Sequence, residues 1–189
     1  MLKDRLTTLE SQDKCRDSFM EYIRYIWDGF IEGEHHRLIA DKLTEVAQGK
    51  CKRLIVNMPP RHTKSEFASV YFPSWVMGLK PDMKIMQTTH TADLSIRFGR
   101  KVRNLMDTQE YKRMFDNVSL AADSKSAGRW ETSQGGEYFA AGVGGAITGR
   151  GADLLIIDDP HSEQDALSLT AMEGAYEWYT SGPRQRLQP

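Results

Sequence analysis

The stretch 54-LIVNMPPRHTKSEF-67 raises the first question of the chain. An apolar, β-branched run stops at Pro59-Pro60, and Lys64-Ser65 follows after Arg61, His62 and Thr63. The run Arg53–Met58 has the profile of a strand buried on both faces. What comes next reads in two ways. The turn is either a phosphate cradle or a rigid Pro-Pro turn that happens to carry Lys and Ser on the first turn of a helix. A cradle needs inward-facing backbone N–H groups with a helix N-terminus behind them. It also needs a lysine for the terminal phosphates and a hydroxyl for Mg2+. Aligned on G-x-x-x-x-G-K-[ST], Met58 and Thr63 stand where the two glycines belong. Pro59 and Pro60 bring no N–H donor. The lining left to a phosphate is Pro60 followed by the donors Arg61, His62, Thr63, Lys64, Ser65 and Glu66. Thr63 must then take an unusual backbone conformation, or the loop must follow a different path. Arg61 beside Lys64 suits bidentate phosphate contact. The stretch by itself does not decide.

Composition bounds the rest. The chain has 189 residues, enough for one domain with a core, and is 40% hydrophobic and 27% charged. Lys and Arg number 25 against 26 Asp and Glu, a net charge of −1. That argues against a domain that coats nucleic acid but leaves local basic stripes open. No apolar run approaches the roughly 18 residues that span a bilayer, and the first residues lack the apolar core of a secretion signal. Cys15 and Cys51 support neither a disulfide framework nor a zinc site. A reducing cytoplasm and no membrane partner are expected.

Along the chain, residues 1–16 are polar and read as frayed or weakly helical. Phe19, Ile23, Ile26/Trp27 and Phe30 recur at helical spacing up to Gly33, and residues 35–49 form a second helix that Gly49 stops. Residues 65–72 read as a helix that Pro73 ends or kinks. Met83–Thr89 is a second buried strand, and Thr91 caps a helix to about Met106. The segment 107–126 is ambiguous. Residues 130–142 suggest a hairpin or two short strands around Gly135-Gly136, Asp153–Asp159 a third apolar strand ending in acid, and residues 169–182 a helix. Strands alternating with helices predict an α/β parallel sheet with helices on both faces. Ligands bind such sheets at the carboxyl ends of the strands, where both MPPRHTKS and DDPH fall.

The stretch LLIIDDPH supplies the second half of a phosphate site. Four apolar residues followed by Asp158-Asp159 suit a strand that delivers one carboxylate to Mg2+ and another to an attacking water. Taken alone it is a weak signal; about 95 residues after a Lys-Ser loop it is stronger. Together with TTHTADLSIRFGRKVRNLM, GVGGAITGRGADLLIIDDPH and the closing WYTSGPRQRLQP, these motifs resemble the ATPase region of tailed-phage terminase large subunits, the DNA-packaging motors. The resemblance runs from about His35 onward and is most specific between Arg53 and Glu163. In that family a P-P-R-x-x-K-S loop takes the place of the glycine-rich one.

The resemblance implies a P-loop NTPase fold of the additional-strand type, with ATP and Mg2+ as cofactors. Lys64 would contact the β- and γ-phosphates, and Ser65 and Asp158 would hold Mg2+. Asp159 falls where many members have a water-activating Glu, with Glu163 the reserve candidate and both aspartates serving the metal as a further option. Arg61 would assist in phosphate contact. Arg150, set between Gly149 and Gly151, resembles an arginine that reaches a neighbouring subunit's ATP. Implied partners are double-stranded viral DNA, the portal protein of the procapsid, the small terminase subunit and other large-subunit copies in a ring, in the cytoplasm of an infected bacterial host. Residues 1–34 would be an N-terminal helical segment and 35–189 the ATPase domain.

The family inserts a further strand between the loop strand and the acidic strand, and a nuclease domain follows it. The expectation is a domain incomplete at its C-terminus, needing a separate C-terminal terminase fragment. Alternatives are a helicase-like DNA-dependent ATPase and an inactive fragment. Arg97, Arg100/Lys101 and Arg103 read first as a solvated helix face, Glu163 and Asp165 equally as an acidic loop, and the four tryptophans as packing residues. No Cys/His spacing supports a metal site at His35-His36 or His161.

Overall fold

Ser18 divides the N-terminal helical pattern in two. In the computed structural model, which describes residues 2–123, 126–147 and 149–188 (side chains from Glu10 onward), α1 (Leu2–Asp17) is a full helix rather than a frayed tail. Within the stretches read above, Met1, Ser124, Lys125, Thr148 and Pro189 lie outside the described residues. Ser18 takes extended dihedrals and accepts a hydrogen bond from the Glu21 N–H, which starts α2 (Phe19–Ile26). α2 stops at Ile26 rather than running to Phe30, because Trp27 leaves the helical region at φ −105°, ψ 94°. α3 (Glu34–Ala47) follows.

After the Pro-Pro turn, α4 (Lys64–Glu66), a π-turn (Phe67–Tyr71) and α5 (Phe72–Leu79) make one unbroken helical run. Pro73 does not end it. An α-helical proline has no N–H for the carbonyl four residues back and its ring collides with that carbonyl. The π-turn immediately upstream, closed by Phe72 N–H donating to the Phe67 carbonyl, widens the helix where that collision would occur. β1 (Lys84–Thr89), α6 (Ala92–Met106, capped by Thr91), α7 (Gln109–Met114, capped by Thr108), β2 (Arg129–Glu131), β3 (Glu137–Gly142) and β4 (Leu154–Ile157) complete the central part. α8 (Leu169–Ser181) lies between short 3-10 turns at Asp165–Leu167 and Pro183–Arg186.

The sheet has the order β2-β3-β1-β4. β1 pairs in parallel with β3 and β4, and β2 pairs antiparallel with β3. The fold is therefore α/β with a mixed sheet, not the all-parallel sheet expected from the alternation of strands and helices. The short turn at Gly135-Gly136 allows only an antiparallel neighbour, since parallel strands need a crossover. Arg53–Met58 is a second correction. It forms no strand, and Ile55 is 85% exposed, so it is not buried on both faces. Leu54, Val56 and Met58 touch the core while Ile55 and Asn57 face solvent: a one-sided, period-two pattern without a ladder partner among the described residues.

Side-chain alternation along the strands gives the two sheet faces different covers. Ile85, Tyr138 and Ile156 share one face and join the large core of α1–α7. Phe19, Tyr22, Phe67, Phe72 and Trp75 form its aromatic centre, with rings 5.3–6.4 Å apart. Three buried polar tips there are matched: Trp75 Nε1 donates to the Cys15 carbonyl (2.7 Å), Tyr22 to Ser74 Oγ (2.7 Å) and Tyr111 to the Ser74 carbonyl (2.8 Å), whereas the Tyr138 hydroxyl has no partner among the described residues. The opposite face carries Met86, Ala141, Phe139 and Leu155 under Ile147 and Ala152, a much smaller cluster. α8 reaches that side through Trp178, whose Nε1 donates to the Gly145 carbonyl, and has no buried residue of its own. Among the described residues no helix is long and apolar enough to cross a membrane.

Candidate functional site

Two strand-to-loop transitions far apart in sequence meet at one end of the sheet. β4 ends at Ile157, opposite Thr88 of β1, and Asp158 N–H extends the ladder by donating to the Thr88 carbonyl (2.9 Å). Asp158 is buried and Asp159 turns outward at φ +43°, with its carbonyl accepting from His90 N–H at the end of β1 (3.2 Å). Across from them the Pro-Pro turn delivers Lys64 to the start of its helix. The Lys64 ammonium bonds Asp159 Oδ1 at 2.5 Å and lies 3.7 Å from Asp158 Oδ1. Partial burial works against the charge on Lys64. The hydrogen bond to Asp159 and the charges of both aspartates outweigh it and hold the ammonium above its usual range.

Asp158 is anchored on its other side. Its Oδ2 accepts from Ser69 Oγ (2.9 Å), and Ser69 Oγ in turn accepts from Gln87 Nε2 (3.1 Å). Ser69 sits in the π-turn one turn beyond Ser65, so the observed hydroxyl partner of the buried carboxylate is Ser69. Ser65 stays half-buried nearby in sequence, with no side-chain hydrogen bond among the described residues. Neither Ser69 nor Gln87 stood out in the sequence. The usable signals were a serine at i+4 from Ser65, on the same helix face, and one amide directly after the apolar pair Ile85-Met86 of KIMQTT.

The loop between the prolines and the helix is held in an uncommon shape. Arg61 (φ +65°) and Thr63 (φ +61°) both lie in the left-handed region. Together with Asp159 they are the three non-glycine residues with positive φ among those described; Thr63 precedes Lys64 directly and Asp159 bonds its ammonium. Such strain concentrates at functional sites. Thr63 thus takes the glycine-like conformation that the missing second glycine would have supplied. Among the described residues the N–H groups of Arg61, His62 and Thr63 donate to no acceptor, and alternating left-handed residues turn such groups toward a common point. Pro60 contributes its carbonyl to His62 Nδ1 (2.9 Å). Glu66 is paired with Lys101 of α6 and is committed there.

The remaining candidates divide. Arg61 is exposed, with no ion pair among the described residues. Glu163 is likewise exposed and unpaired, while Asp165 closes a local turn by accepting from Ser162 N–H and Oγ (3.0 and 2.7 Å). Those bonds hold the Asp165 carboxyl below the usual carboxylate range. Arg150 lies at the opposite end of the sheet. It donates to Glu137 Oε1 (2.6 Å) at the start of β3 and stacks over Phe139, 4.2 Å from the ring centre. It lines a cavity of about 280 Å³ with Lys84, Arg129 and Glu137. Within one chain Arg150 and Lys64 therefore do not share a site.

Unbonded amides, a lysine and the start of a helical run lie together in residues 61–64, donor types that suit an anion. Among the described residues no group of three or more His, Cys, Asp or Glu is arranged to hold a metal ion. Mg2+ on a nucleotide asks less, commonly one or two carboxylates besides phosphate and water, which Asp158 and Asp159 can supply. No protein-family model and no curated protein matches the chain.

Proposed function

We propose that the chain is the ATPase portion of a viral DNA-packaging motor of the terminase large-subunit kind, binding MgATP at the Lys64–Asp158 site. The observation that carries this reading is the ion pairing of Lys64 with Asp158 and Asp159, although Asp159 lies 95 residues further along the chain. Its fold would be the P-loop NTPase of the additional-strand type. Lys64 and the amides of residues 61–66 would take the β- and γ-phosphates, with Arg61 assisting from the rim. Asp158, fixed by Ser69, and Ser65 would hold Mg2+, which when bound supplies charge neutralisation to the phosphate oxygens. Asp159, freed from Lys64 as the lysine turns to phosphate, would orient the attacking water. Arg150 would act only on a neighbouring copy's nucleotide. Double-stranded DNA, portal protein, small subunit, sister copies in a ring and the cytoplasm of an infected bacterium follow from the same reading.

The test is MgATP binding by the whole chain and phosphate release by the chain with its assembly partners. Lys64→Ala is expected to reduce turnover on the order of 10²-fold or more, the size of losing one donor to a developing oxyanion, and Asp158→Asn to reduce it by weakening the hold on Mg2+. Equal MgATP affinity for the wild type and Lys64→Ala would overturn the proposal.

A further inference from the structure

We propose that His36, on α3 and remote in sequence from the phosphate loop, is the positioning residue that holds this loop in its binding shape; the inference rests on the nucleotide-site reading above. The hydrogen bonds run in one direction. Gly33 N–H donates to His36 Nδ1 (2.9 Å), so in the neutral ring Nδ1 is the acceptor and the proton is on Nε2. Nε2 lies 2.6 Å from Thr63 Oγ1 and donates to it, and Thr63 Oγ1 passes its own proton to the His62 carbonyl (2.6 Å). Thr63 is the residue at φ +61° immediately before Lys64. The relay therefore ties the side chain of the left-handed residue to a rigid helix and fixes the peptide that precedes it.

The surroundings hold the ring in place. His36 is only 6% exposed, stacks on Phe67 at 5.1 Å and 22°, and meets Phe30 edge-on at 4.9 Å. Phe67 belongs to the helical run that starts at Lys64, and its N–H donates to the Thr63 carbonyl (3.0 Å). His36 thus grips the loop at Thr63 and the helix behind it through one ring. Burial, then the neighbouring His35, favour the uncharged form that the relay requires. Gly33 leaves room for this arrangement, since a Cβ there would come within 2.8 Å of the His35 ring. In a phosphate loop with glycine at this position the left-handed shape comes without strain; here a threonine adopts it, and the donor from α3 compensates.

A double-mutant cycle tests the assignment. His36→Ala is expected to weaken MgATP binding, or raise KM, about tenfold in the native chain while leaving kcat within about twofold. Tenfold corresponds to about 1.4 kcal/mol, the upper part of the range for one neutral hydrogen bond. In the Thr63→Gly background, where glycine holds the conformation unaided, the same change should cost under twofold. His36→Gln, whose amide can donate where Nε2 does, should recover most of the affinity. Tryptic cleavage after Arg61, compared with that at other exposed sites, should quicken in His36→Ala and in no larger proportion in the double variant. An equal loss in both backgrounds would make His36 a packing residue and overturn the inference. So would unchanged affinity in His36→Ala while Lys64→Ala loses binding. A native chain that binds no MgATP would remove the parent reading and this inference with it.

Discussion

Arg61 carries a strained backbone without a visible local return. A left-handed L-residue costs roughly 1–2 kcal/mol, and Arg61 has φ +65° with an exposed side chain and no ion pair among the described residues. Arg61→Gly should therefore raise stability, by about 0.5 kcal/mol once the added freedom of the unfolded chain is subtracted. A chain of this size gains about 1–2 °C in melting temperature from that. On the proposed reading the same change weakens MgATP binding, the usual opposition of stability and activity at a functional site. A drop in melting temperature would mean instead that the guanidinium holds the loop. Lys64, Asp158 and Asp159 were legible as chemistry because their residue types and their places after apolar runs are tied to phosphate binding. Ser69, Gln87 and His36 were not, because a serine in a helix, an amide in a strand and a histidine on an amphipathic face gain meaning only from what folding brings beside them.

At the scale of elements, periodicity identified α3, β1, α6 and β4 near their observed bounds, and the caps at Thr91 and Ser18 explain where helices begin. It failed where backbone geometry overrides local rules. Pro73 reads as ending or kinking the helix; it does not end it, and the π-turn upstream carries the helix past it to Leu79. That turn also contains Ser69, so the element that accommodates the proline presents the hydroxyl that binds Asp158. Arg53–Met58 reads as a buried strand because its composition is β-branched, but a strand exists only through its neighbours, and none pairs with it among the described residues. The contact of α6 with the sheet is set by Gly99, where an added Cβ would fall 2.6 Å from the Ala127 carbonyl and 2.8 Å from the Tyr138 ring. Trp130 stacks on that ring at 5.0 Å and donates to the Gly99 carbonyl, which limits any retreat. Gly99→Ala should destabilise by about 2 kcal/mol, a fall of roughly 4–8 °C in melting temperature. A change under 1 °C would show that both the Ala127 backbone and the Tyr138 ring can move aside.

Over the whole molecule the α/β class was legible from the alternation of elements, while the mixed pairing and the uneven cover of the two faces were not. Which strand becomes central depends on contacts between residues far apart in the chain, and period-two patterning does not encode them. Among the described residues β1 occupies that centre, bonded on both sides, whereas β4 is bonded on one side and Arg53–Met58 on neither. Exchange of amide protons with heavy water should rank these segments in that order, since local opening is governed by how much must come apart with each bond. Residues 85–88 should retain protium longest, residues 154–157 should lose it sooner, and residues 53–58 should label almost at once. Slow labelling of residues 53–58, at a pace matching β1, would mean that in solution this segment acquires a bonded neighbour.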